Sequence, residues 1–183
     1  VNLFSFFRNN KIRSYTCSCC GKAFDSLPLC FGAEYPDYYF SIPADEIGLR
    51  VEYSTSWCVV DNEHFFHRGR LTIPIIDHNE NLIFNVWTSI SEENFGIRME
   101  LWNDPNRINQ QPYFGWLQTF VPTYGDTLNL KTIAIEQGID LIPEIKMIEE
   151  DHPLTTDQEK GITYKRAVEI VDEILKKEHC KLT

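Results

Sequence analysis

The sequence predicts an α+β domain: a mainly antiparallel β-sheet covered by two or three helices, with a Cys-rich segment near its N-terminus. Three observations predict it. Runs rich in β-branched and aromatic residues dominate from about Tyr38 to Glu149, the composition of pleated, half-buried strands. The polar turns between neighbouring runs are too short to hold a crossover helix, so those runs pair antiparallel. Helical periodicity is confined to a few segments, the clearest of them close to the C-terminal end. The 183 residues suit one domain over 15–183 behind a short extension over 1–14. With 43% hydrophobic and 24% charged residues, the chain is neither disordered nor fibrous. A domain this long buries roughly 70% of its unfolded surface, so it needs neither disulfide nor metal merely to fold.

The expected strands are 49–60, 65–76, 82–90, 113–120, 128–135 and 142–148. Asp61-Asn62-Glu63 supplies a hairpin turn between the first two, and the polar run from Asp77 to Asn81 separates the next pair. Ser91 caps a helix in which Phe95, Met99 and Trp102 recur at i, i+4 and i+7 before Asn103-Asp104-Pro105 stops it. Thr156 with Glu159 resembles a capping box for one short turn ended by Gly161. The strongest helix covers 163–177. Its Ala167, Val168, Val171, Ile174 and Leu175 form one apolar stripe, expected to face the core. No run approaches the ~20 apolar residues of a membrane-spanning helix.

Charge is unevenly spread. Seventeen basic and twenty-seven acidic residues leave a net −10. Residues 1–30 hold four basic side chains and one acidic, 31–135 hold six and fourteen, and 136–183 hold seven and twelve. Such a surface repels phosphate backbones, which excludes nucleic acid as the expected partner, and it steers basic proteins inward. The first residues, Val1 to Phe7, are largely apolar and only then turn basic, the reverse of a secretory signal. Three of the six cysteines fall within 17–20, poor material for a disulfide framework, so a reducing cytoplasm is the expected compartment.

Cys17-Ser18-Cys19-Cys20-Gly21 is the sharpest local motif. Cys17 and Cys20 have the C-x-x-C spacing in which two thiolates reach one tetrahedral zinc, and glycine permits the turn. A second close pair does not follow; Cys30, Cys58, His64, His67, His152 and Cys180 are scattered. His64 and His67 fall on opposite faces of a strand. Nucleophile elbows, phosphate loops, dinucleotide fingerprints and H-E-x-x-H helices are absent from the sequence, which argues against the corresponding enzymes. Four Trp, eight Tyr and twelve Phe form the second signal, concentrated in Tyr35 to Phe40 and Pro112 to Trp116. Rings of this kind build either core or binding hot spots, and Tyr38, Tyr39, Tyr113 and Trp116 are the candidates for a partner surface.

A resemblance joins these motifs. Cys17-Ser18-Cys19-Cys20-Gly21-Lys22, Leu27-Pro28-Leu29, Trp57-Cys58-Val59-Val60-Asp61, Ile73-Pro74-Ile75 and Val86-Trp87-Thr88-Ser89 resemble a bacterial family of domains of unknown function, the one numbered 2199. The likeness continues through Tyr113-Phe114-Gly115-Trp116-Leu117, Asp126 to Lys131 and Asp151-His152-Pro153-Leu154, covering about Tyr15 to Thr163. It carries no activity with it. It places Cys17, Cys20, Cys58 and His152 at family motif positions, and these four make a chemically acceptable zinc set if the fold gathers them. Near Ser56, where the resemblance implies an acidic residue, the chain departs from the pattern. The resulting expectation is a non-catalytic protein-binding module, of the immunity type that neutralises a basic toxin. A zinc-containing module or enzyme using a Cys/His site is the alternative.

Overall fold

The computed structural model describes residues 14–179. The expected 1–14 extension lies, but for Ser14, outside the described residues, as does Cys180. The strands are β1 (Tyr15–Thr16), β2 (Ala23–Phe24), β3 (Cys30–Gly32), β4 (Val51–Tyr53), β5 (Trp57–Val60), β6 (His64–Ile73), β7 (Leu82–Ile90), β8 (Tyr113–Trp116), β9 (Lys131–Ile135) and β10 (Glu144–Met147). The helices are α1 (Ile47–Arg50), α2 (Glu92–Glu100), α3 (Pro153–Lys160) and α4 (Tyr164–His179), with 3-10 turns over Asp37–Ser41 and Pro105–Asn109. No helix among the described residues is long and apolar enough to cross a membrane.

Local chemistry sets most boundaries. Asp61 and Asn62 both take positive φ, 55° and 54°, the geometry of a tight hairpin turn, and β5 and β6 pair antiparallel across it. The expected strand 49–60 is broken at Ser54, whose Oγ accepts from the amides of Ser56 and Trp57 and makes a turn between β4 and β5. Ser91 caps α2 as expected, its Oγ accepting from the Asn94 amide at 3.2 Å. The α3 cap falls earlier than Thr156: His152 Nδ1 accepts from the Leu154 amide, with Pro153 at the first helical position.

The main sheet runs β3-β7-β6-β10-β9-β8, with β4 and β5 branching beside β6. It is a mixed sheet in which antiparallel pairings are the majority. β3 lies parallel to β7, and β10 parallel to β6. Both parallel pairs join segments far apart in sequence, beyond the reach of an argument from short turns. The sheet also curls back on itself. Leu117, just past β8, bridges Thr88 of β7, and the Gln118 amide donates to the Trp87 carbonyl at 2.7 Å. Gly115 makes this approach possible, because a Cβ there would stand 2.2 Å from the Ser89 carbonyl oxygen.

Each of the two long strands therefore has one flank covered by the other and a second flank divided between two short strands. For β6 these are β5 over His64–His67 and β10 at Arg70; for β7 they are β3 over Ile83–Asn85 and the β8 end at Thr88. The concave face carries Leu71, Ile73, Leu82, Phe84, Val86 and Ile145, all essentially buried. Ala167, Ile170, Val171, Ile174 and Leu175 of α4 belong to the same core, so the predicted stripe faces inward. A smaller cluster of Ile42, Val51, Cys58, Val60, Phe66 and Trp87 forms a second core.

Candidate functional site

The thiol motif occupies the loop of the β1–β2 hairpin. The Cys17 amide donates to the Lys22 carbonyl and the Gly21 amide to the Cys17 carbonyl, with Gly21 at φ 69°. This fold-back brings the sulfurs of Cys17, Cys19 and Cys20 within 4.8 Å of one another, and the trio could hold a metal ion. Cys17 is buried and Cys20 exposed. Hydrogen bonds from the Cys19 and Cys20 backbone lower the Cys17 thiol below its ordinary range, favouring the thiolate that metals require. Cys19 is held in a disulfide, whereas Cys17, Cys20, Cys30 and Cys58 are free thiols. Three thiolates are thus available only once Cys19 is reduced.

Of the four expected zinc ligands, Cys17 and Cys20 come together, with Cys19 beside them; Cys58 and His152 are not part of that group. Cys58 lies in the second core, where burial pushes its thiol up to about 11. His152 spends its Nδ1 on the α3 cap. The aromatic candidates also separate. Trp116 is exposed and Tyr38 and Tyr39 are half-buried, but Tyr113 is buried, because alternation along β8 turns Tyr113 and Gly115 inward and Phe114 and Trp116 outward.

The concave face ends in a polar group that sequence reasoning did not assemble. Its members are His67 on β6, Thr88 on β7, Tyr113 on β8 and Glu136 just past β9, joined by Arg98 of α2 and Arg107 of the 105–109 turn. Arg98 Nη1 donates to Glu136 Oε1, Arg107 Nη2 to Oε2 at 2.5 Å, and the Tyr113 hydroxyl to Oε1 at 2.7 Å. Burial alone would raise the Glu136 carboxyl; the two guanidiniums and the phenol outweigh it and hold the group below the ordinary glutamate range. His67 Nε2 lies 2.7 Å from Thr88 Oγ1, and burial, with Arg98 nearby, depresses the ring to about 3. His67 is therefore neutral at physiological pH.

A cleft of about 190 Å³ opens beside this group, with Arg98, Trp102 and Arg107 on one side, Asp140, Leu141 and Ile142 on the other, and Ser56 completing the lining. The Trp102 ring lies 5.5 Å from the Arg98 guanidinium carbon and 5.8 Å from that of Arg107. No pair spacing links residues 56, 98, 107 and 136; the one signal in the sequence is two arginines flanking an aromatic residue near the end of a predicted helix.

Fold and site together define a mixed α+β domain with a cysteine hairpin and a buried ionic group. The chain belongs to the family described as an uncharacterized protein conserved in bacteria (DUF2199), which matches over residues 16–162. No curated protein and no solved structure matches it.

Proposed function

We propose that the chain is a non-catalytic protein-binding module, of the immunity type that neutralises a basic toxin partner. The observation that supports it is a set of exposed aromatic rings on an acidic chain. Tyr35 and Tyr39 stack at 4.1 Å and pack edge-on against Tyr53 and Phe40, which are 51% and 70% exposed. Phe114 and Trp116 pair edge-to-face on the outer side of β8, and the Asp37 amide ties the 37–41 turn to the Gln118 carbonyl just beyond it. Rings braced in this way bury area on a partner at low entropic cost. Exposed Glu34, Asp37, Asp45 and Glu52 accompany the first group and favour a cationic partner.

A tagged chain incubated with lysate of its own bacterium should retain a stoichiometric basic protein at low salt and release it as salt rises. The double variant Phe40→Ala/Trp116→Ala, with its circular dichroism unchanged, should bind at least tenfold more weakly. Capture that is insensitive both to salt and to this variant would sink the proposal.

A second reading, a zinc module, is favoured by the Cys17, Cys19 and Cys20 sulfurs lying within 4.8 Å. Under reducing conditions Cys20→Ser should lower zinc content and melting temperature together. If neither changes, the metal reading fails.

A further inference from the structure

We infer that the cleft beside Arg98 and Arg107 is a binding site for a small oxyanion, a carboxylate or a phosphate, carried on a compact apolar body. The charge of the buried group does not close. Two guanidiniums, 1% and 4% exposed, face a single carboxylate, and among the described residues neither makes another ion pair. A buried cation left without its own counter-charge costs several kcal/mol unless an anion joins it. Glu136 divides its single charge between the two guanidiniums, and its oxygens also accept from the Tyr113 hydroxyl.

Arg98 has donors left. Its guanidinium meets Glu136 through Nη1 and also acts on the Tyr113 hydroxyl, while Nε is buried without a partner. Arginine presents its donors in a planar fork that matches carboxylate and phosphate oxygens. The cleft holds only about 190 Å³, below the ~300–1,000 Å³ of pockets for larger ligands, so the anion is small. Trp102, Leu141 and Ile142 give that small body an apolar wall. Asp140 also lines the cleft but is exposed and pairs with neither arginine among the described residues, so the guanidiniums set the local sign.

The test uses the full chain with sodium benzoate and inorganic phosphate as probes, at ionic strength matched with chloride. Binding to the folded state raises the melting temperature progressively with ligand concentration. One or both probes should do so at millimolar concentration while chloride does not, and should change tryptophan emission. Benzoate alone assigns a carboxylate, phosphate alone a phosphoryl group, and both a general oxyanion site. Leu141→Glu, at a half-exposed lining position, places a carboxylate at the cleft and should weaken binding at least tenfold without unfolding the chain. Trp102→Phe should remove the fluorescence change, locating the ligand at the cleft that Trp102 lines. The site is refuted if neither probe acts beyond chloride, or if the response survives Leu141→Glu undiminished.

Discussion

Glu136→Gln should destabilise the protein by about 3–5 kcal/mol, the cost of removing one partner from a buried ionic group. The side chains are nearly the same shape, so little packing is lost. What changes is charge: Arg98 and Arg107 would face a neutral amide, and its NH₂ would present hydrogens to one of them. A domain of ordinary stability has only about 5–15 kcal/mol in total, so this single atom exchange removes a large fraction of it. Urea denaturation of the wild type and the variant at pH 7 measures the difference. Glu46→Gln is the control. It breaks a surface pair in which Arg50 Nη1 meets Glu46 Oε2 at 2.6 Å, the side chains 35% and 45% exposed, and should cost under about 1 kcal/mol. Equal, small effects in the two variants would show that the buried carboxylate does not hold the arginines in place.

Stability should fall with acidification from about pH 6.5, well before ordinary carboxylates titrate, because of His67. Its folded value is depressed to about 3 from 6.5. Between those limits the unfolded ring takes up a proton that the folded ring does not. The contribution is complete above pH 6.5 and is lost as pH falls towards 3, at up to ~1.4 kcal/mol per pH unit and on the order of 5 kcal/mol in all. Glu136 acts in a lower window. Its folded value is also depressed, so its contribution is complete above the ordinary glutamate range and is lost as pH falls through its lowered value. His67→Gln should flatten the dependence between pH 6.5 and 4.5. An unchanged slope in His67→Gln would refute the assignment.

The elements governed by neighbouring residues were legible in the sequence. The Asp61-Asn62 turn, the Ser91 cap and the α4 stripe each depend on chemistry within a few positions, and each lies where the residues place it. The parallel pairings of β3 with β7 and β6 with β10 were not, because register between distant segments leaves no local mark. The same limit explains the site. Cys17 and Cys20 announce themselves by spacing, while Glu136 is one acid at the end of an apolar run and Arg98 and Arg107 read as surface cations, the usual place for arginine. Tyr113 shared a conspicuous aromatic cluster with Phe114 and Trp116. Choosing which of them faces inward requires knowing which face of β8 the core covers, and that follows from the closure onto β7.

The divided flanks of β6 and β7 also bear on how another polypeptide could attach. A chain that docks by strand addition needs a row of unused backbone donors and acceptors along a sheet edge. On these two strands much of each row is taken up, by each other on one side and on the other by β5 at 64–67, β10 at Arg70, β3 at 83–85 and the β8 end at Thr88. These paired stretches offer no template for β-augmentation or for edge-to-edge aggregation. A polypeptide attaching there would rely on side chains, whose identity can change without disturbing the backbone pairing beneath them.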